Sequence, residues 1–265
     1  MIELPSLDKL LASLKLNAKA VDCQPMAGGV SASMSLATFQ MEDNSLQKWV
    51  IRQLSSKTLA NRPSGLSMEF SLLGILHRRG IPVPLPVYLD GEGALLGSPT
   101  LVLEYLEGDL DFSNRHLSQR LRNLARVVAR LHEIDLHELT DADVPVLGLS
   151  LEALIGKAPK NPDSFINEKV LRSTLANHWP PLQINPNALL HGDIWNGNLL
   201  WLGSHLSGII DWEDAWIGDP LLDVAGIRLD LACEFGMQYA ELFTSFYSSF
   251  HKINLLSLPH WDLVA

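Results

Sequence analysis

The sequence predicts an α+β chain, a small β-rich amino-terminal lobe followed by a larger and mainly helical carboxy-terminal one. Three observations carry this. From Ala20 to about Tyr105 the chain is strand-like and punctuated by Gly, Pro, Asn and Asp. From about Phe112 onward apolar residues recur every three or four positions, the helical period. A length of 265 residues, with 47% hydrophobic and 19% charged, can bury the core of one or two domains and excludes a disordered chain.

The elements follow in order. Leu7, Leu10, Leu11 and Leu14 share one face of a short amphipathic helix. One helix interrupts the strand-rich stretch, from about Ser64 to His77; it carries Phe70, Leu73 and Ile75 with Glu69 among them, and Arg78-Arg79-Gly80 supplies basic residues and a glycine stop. Leu117, Leu121, Leu124, Val128 and Leu131 form the core stripe of a longer helix, whose Arg115, Arg120, Arg122, Arg126 and Arg130 read as a solvated face. The shift in composition near residues 104–110 divides lobe 1–105 from lobe 109–265, with a hinge at about 104–108. Leu258 to Ala265 reads as the opening of another helix.

Lys and Arg total 20 against 30 Asp and Glu, a formal charge of −10, which disfavours nucleic acid as a partner. The longest uncharged stretch, Ser173 to Gly192, is broken by prolines and asparagines and does not read as a membrane span. Glu3 and Asp8 stand where a secretory signal carries basic residues, and only Cys23 and Cys233 are present, so a cytoplasmic protein is expected. No obligate protein partner is evident.

The most informative segment runs from Leu189 to Trp201, an apolar run, a polar loop His191-Gly192-Asp193-Ile194-Trp195-Asn196-Gly197-Asn198, and a second apolar run. A further apolar run, Leu206 to Ile210, ends at Asp211, and the Gly203-Ser204 turn signal between the two predicts an antiparallel hairpin over Leu199 to Ile210. The ends of a hairpin meet, so Asn198 and Asp211 should be neighbours able to share a cation. One amide and one carboxylate oxygen suit Mg²⁺. Asp193, just upstream, is placed to orient an attacking hydroxyl and accept its proton.

The stretches HGDIWNGNLLW and IIDWEDAWIGDPLLDVA closely resemble the aminoglycoside phosphotransferase and choline kinase-like small-molecule kinases, and the resemblance implies a bilobal protein-kinase-like fold. It implies Asp193 as catalytic base and Asn198 and Asp211 as Mg²⁺ ligands, with His191 structural and Asp219-Pro220 a helix start. Glu213 touches either a second metal or only a neighbouring backbone amide. Gly28, Gly29 and Ser31 look like the nucleotide-covering loop. Val50-Ile51-Arg52 looks like the third strand, with Arg52 where protein kinases place a lysine and Lys48 on the same face one pitch earlier. Glu69 is the acidic partner expected for Arg52, unless it faces solvent. Main-chain groups near Glu104 and Leu106 would read adenine. The few residues between Asp211 and Gly218 leave no room for an activation segment. The activity implied is transfer of the γ-phosphoryl group of ATP, or of GTP, to a hydroxyl of a small molecule. Two alternatives are a non-catalytic nucleotide-binding module on the same fold and a metal-dependent hydrolase built on His191 and Asp193. From Ser173 to Ile227 there is no Lys or Arg, while Asp193, Asp211, Glu213, Asp214, Asp219 and Asp223 fall there, which favours a cationic acceptor. Trp195, Trp201, Trp212 and Trp216 also crowd this region, as core residues or as a box for an amine.

Overall fold

Strand-forming sequence in the first hundred residues closes into one sheet because alternate side chains are apolar. Ser35, Ala37 and Phe39 point inward on one strand, Trp49 and Ile51 on the next. The computed structural model describes residues 2–26, 32–54, 65–110, 116–148, 150–181 and 183–265. Strands β1 (Ala18–Pro25), β2 (Ala32–Met41), β3 (Leu46–Leu54), β4 (Pro86–Asp90) and β5 (Thr100–Glu104) form an antiparallel sheet of order β1-β2-β3-β5-β4. Helix α1 (Leu4–Ser13) lays Leu7, Leu10 and Leu11 on Ala20, Ala37, Phe39, Trp49, Ile51 and Val102. Helix α2 (Gly65–Arg78) buries Leu66, Glu69, Leu72, Leu73 and Leu76 and stops at Gly80, whose φ of +69° suits glycine.

The chain divides into two compact units, Met1–Glu107 and Gly108–Ala265. In the second unit, α3 (Leu117–His132) buries the whole leucine and valine stripe. Its solvated face needs a correction at Arg120, which is 7% exposed. The guanidinium lies 5.2 Å over the Trp201 ring and donates from Nε to Gly203 O at 2.7 Å, while Asn123 donates to Ser204 O at 2.8 Å. A turn carbonyl and an indole face, both brought by tertiary contact, bury a side chain that periodicity assigns to water. Arg115 lies outside the described residues.

Short helices α4 (Leu151–Ile155) and α5 (Glu168–His178) lead to β6 (Ala188–Leu190). The hairpin expected from the Gly203-Ser204 signal is present as β7 (Leu199–Leu202) and β8 (His205–Ile209). Strand β9 (Trp216–Gly218) returns to pair with β6, Leu190 opposite Trp216. Helices α6 (Leu221–Phe235), α7 (Met237–Phe250) and α8 (Leu258–Trp261) complete the unit, α6 and α7 packing on each other and α7 on α3. Helix α6 begins one residue later than Asp219-Pro220 suggests. Asp219, 1% exposed, accepts from Leu221 N at 2.9 Å and also holds Asn185, a structural cap. Among the described residues no helix is long and apolar enough to cross a membrane.

In the sheet unit one buried ion pair stands out. Arg52 Nη1 lies 2.8 Å from both carboxylate oxygens of Glu69, and both side chains are nearly inaccessible. Glu69→Ala removes that partner and is expected to cost about 3 kcal/mol, the low end for breaking a buried pair. Urea unfolding of the variant against wild type measures it, and a loss below about 1 kcal/mol would mean that the pair is replaceable.

Candidate functional site

The polar loop after β6 is held from both ends. Ahead of it, the β6–β9 ladder fixes Leu190; behind it, Ile210 N donates to Asn198 O at 3.0 Å, extending the hairpin by one pair and setting Asp211 beside Asn198. Asn198, 6% exposed, donates from Nδ2 to Asp193 O at 2.8 Å and to Asp193 Oδ2 at 3.1 Å. These bonds fix which way the amide points. Its nitrogen faces Asp193, so the carbonyl oxygen is turned away from that residue. Asp211, at a φ of +65°, and Asp193 are both exposed. An amide oxygen and an adjacent carboxylate are hard donors suited to a magnesium ion that keeps several of its waters. Among the described residues no three His, Cys, Asp or Glu side chains converge as metal ligands.

His191 is wholly buried. Its Nε2 donates to Ile210 O at 3.0 Å and its Nδ1 accepts from Asp193 N at 3.3 Å, an arrangement only the neutral ring can make. Burial pushes its pKa below the usual imidazole value, against the opposing pull of Asp223, the Ile210 carbonyl, Asp193 and Asp211. The ring, in edge contact with buried Trp212, is therefore a strut between loop and hairpin.

Beneath the loop sits Asp223, in the first turn of α6 and 2% exposed. It accepts from His191 N at 2.8 Å, Gly192 N at 3.0 Å and His132 Nε2 at 3.3 Å. Burial alone would raise its pKa. The hydrogen bonds from His132 and from the Gly192 amide oppose that, and the carboxyl is held below the usual carboxylate value. Gly192 has a φ of +84°, and a Cβ there would collide with the Asp214 carbonyl, so glycine is required.

These two groups predict a loss of stability in acid. The unfolded chain protonates its histidine near pH 6.5 and its carboxylate near pH 3.9. Folded His191 resists protonation, so stability falls as pH drops below about 6.5. Asp223 contributes stability above about pH 3.9 that is lost as pH falls through its lower folded value. Urea midpoints from pH 8 to 4 should decline, with the upper part of the slope absent in His191→Asn. A flat profile would contradict it.

The loop and one face of α6 enclose a cavity of about 370 Å³ lined by Asp193, Trp195, Asp223, Gly226, Asp230 and Cys233 among others, none of them basic. Asp230 accepts from Asn196 N at 3.0 Å, and Glu234 accepts from the Asn196 side chain. Of the four tryptophans near the loop, Trp201 and Trp212 are core residues, whereas Trp195 is 48% exposed at the cavity wall. Glu213 is half-buried.

In the sheet unit, Arg52 stands on β3 and its partner Glu69 is buried on α2, which decides between the two readings of Glu69. Lys48 does not share that pair; it lies 3.4 Å from Glu107 and over the Tyr105 ring. Glu104 N donates to Leu85 O and Tyr105 N to Lys48 O, so Leu106 N–H is the first main-chain donor past β5 with no main-chain acceptor among the described residues. Gly28, Gly29 and Ser31 lie outside the described residues.

The model of the phosphotransferase enzyme family matches residues 23–256. The chain belongs to that family. The family comprises ATP-dependent phosphotransferases acting on small molecules. A homoserine kinase of Methylocella silvestris is 32% identical over 173 residues, covering 60% of this chain and 51% of that protein. Acyl-CoA dehydrogenase family member 10 of Mus musculus is 25% identical over 190 residues, covering 66% of this chain and 18% of that protein. The chain thus spans about half of the homoserine kinase and less than a fifth of the dehydrogenase family protein. A macrolide 2′-phosphotransferase from Brachybacterium faecium superposes with a TM-score of 0.69 at 18% identity, over 98% of this chain and 88% of that one. The GDP complex of wild-type aminoglycoside 2′-phosphotransferase-IIIa gives 0.68 at 19% identity, over 99% and 87%. At such identities the likeness shows the fold, α+β and protein-kinase-like.

Sequence reading counted Asp223 only in the acidic excess, without its role beneath the loop, and gave no role to His132, Asp230 or Glu234. A signal for two of them existed. Asp223 is a lone carboxylate inside the apolar run from Leu221 to Ala225, and His132 follows Val128 by four residues, on the core stripe of α3.

Proposed function

We propose that this protein transfers the γ-phosphoryl group of ATP to a hydroxyl of a small, cationic acceptor. The observation that carries the reading is the joint placement of Asp193, Asn198 and Asp211 by one loop and one hairpin, with Asn198 bonded to Asp193 and Asp211 beside it. In this reading Asp193 aligns the acceptor hydroxyl and takes its proton, the oxygen attacks the γ-phosphorus, and the bond to ADP breaks. Asn198 and Asp211 would hold Mg²⁺, which when bound offsets charge on the phosphate oxygens. Arg52, oriented by Glu69, serves as the cation for phosphate, a role its planar fork suits. The main chain from Glu104 to Leu106 reads adenine, and Gly28, Gly29 and Ser31 cover the phosphates.

The cavity beside Asp193 supports the choice of acceptor. Three carboxylates and no basic residue line it, and Trp195 offers an indole face at its wall, a setting that attracts ammonium groups and repels anions. A volume of about 370 Å³ fits an amino alcohol or an amino sugar. Coupled ADP-release assays with Mg-ATP against cationic, neutral and anionic hydroxyl compounds of matched size test this. Turnover should be confined to, or highest with, cationic acceptors and weaken as salt is raised. Preference for anionic acceptors would overturn the acceptor class, and calorimetric ATP binding with no turnover on any acceptor would favour a non-catalytic module.

A further inference from the structure

We propose that Trp195 is a specificity-determining residue: its indole, laid over Gly197, is the platform on which the body of the acceptor rests, and it selects amines that carry an apolar group beside the hydroxyl. The inference rests on the phosphotransfer reading above and narrows its acceptor to an amphipathic amino alcohol.

Two observations place the ring. Trp195 and Asp193, two residues apart on one loop, line the same cavity, and Trp195 stays 48% exposed where Trp201 and Trp212 are wholly buried. The core therefore does not account for it. The second observation is at Gly197, where a Cβ would collide with Cη2 and Cζ2 of the Trp195 indole. The φ of Gly197 lies outside the left-handed region, so its backbone does not call for glycine. The indole does, because it occupies the space a side chain would fill.

The main chain on either side of the ring is tied down. Asn198 N donates to Trp195 O at 2.9 Å, Asn196 N donates to Asp230 Oδ2 at 3.0 Å, and the Asn196 side chain donates to Glu234, one turn further along α6. A platform fixed in advance loses little freedom when a ligand settles on it. Beside it Leu222 and Leu229 also line the cavity, and Leu229 is 46% exposed. Two large apolar side chains half open to water gain when a ligand covers them. The Asp193 and Asp230 carboxylates attract an ammonium group, and the indole face adds to that attraction. An amine with an apolar substituent meets both demands. A polyhydroxylated amine sets hydroxyls against leucine and indole, where they find no partner.

The test compares wild type, Trp195→Ala, Gly197→Ala and the double variant, with Mg-ATP and with ethanolamine, N-benzylethanolamine and glucosamine as acceptors. In wild type, kcat/KM for N-benzylethanolamine should exceed that for ethanolamine and for glucosamine by about 10-fold or more. In Trp195→Ala and in Gly197→Ala this preference should shrink to within about 3-fold, through KM for the acceptor, with KM for ATP within about 2-fold of wild type. The double variant should match Trp195→Ala, since displacing a ring that is absent changes nothing. Calorimetric titration with N-benzylethanolamine reads binding apart from turnover and should show affinity at least about 5-fold weaker in Trp195→Ala. A wild-type preference for glucosamine, a preference for N-benzylethanolamine that survives Trp195→Ala, or additive losses in the double variant would overturn the proposal. If Gly197→Ala does not fold, Trp195→Ala decides alone. If wild type binds N-benzylethanolamine through Trp195 but turns over no acceptor, the phosphotransfer reading fails and the platform stands; no binding to wild type overturns the platform.

Discussion

Asp193→Asn is expected to lower kcat for phosphoryl transfer by about 10²- to 10⁴-fold, the contribution of a positioned general base. Stability and Mg-ATP affinity should stay close to wild type. Asp193 is exposed, and its contacts survive the change: Asn198 donates to its main-chain oxygen and to one side-chain oxygen, and an asparagine retains both acceptors. The variant therefore separates chemistry from architecture. ADP release measured at saturating acceptor, with thermal unfolding in parallel, checks it. A residual rate within about 3-fold of wild type would mean that alignment by Asn198 and Asp211, and not proton acceptance, dominates.

The second large effect belongs to Asp223. Asp223→Ala is expected to destabilise the protein by about 3–5 kcal/mol, as breaking a buried charged network does. Removing the carboxylate leaves the amides of His191 and Gly192 and the His132 Nε2–H without their acceptor. Asp223→Asn is no repair, because its NH₂ group must face one of those donors. Urea unfolding reads the loss, and activity should fall even where the variant remains folded, since Asp193 follows Gly192 directly. A loss below about 1 kcal/mol would show that the loop is held by the hairpin and His191 alone.

What the sequence made legible is what it encodes locally. The hairpin and the polar loop lie within one short stretch, so the turn signal at Gly203-Ser204 and the two flanking apolar runs suffice to bring Asn198 to Asp211. The leucine stripe of α3 was equally readable, because a helix repeats its own period. Choices made between distant segments were not. Whether Glu69 faces solvent or Arg52 depends on how α2 lies on the sheet, 17 residues away. His132 meets Asp223 across 91 residues and Tyr247 across 115, so nothing near either residue names its partner. Arg120 was misread for the same reason, since its burial comes from a turn 83 residues on. The acidic stretch without Lys or Arg was visible, but the arrangement of Asp193 and Asp223 around a cavity, with Asp230 joining from the cavity-lining face of α6, required the helix to be placed.

Phosphoryl transfer to a small hydroxyl compound is the activity proposed for the Asp193 loop and the β7–β8 hairpin. The most direct measurement follows the γ-phosphoryl group itself, using ATP labelled in that group, Mg²⁺ and the acceptor with the highest ADP release, with products identified by mass spectrometry. The predicted result is a phosphate ester on the acceptor formed in equal amount to ADP by wild type, and abolished or strongly reduced in Asp193→Asn and in Asp211→Ala. Label appearing only as free phosphate, or ester formation that survives both substitutions unchanged, would contradict it.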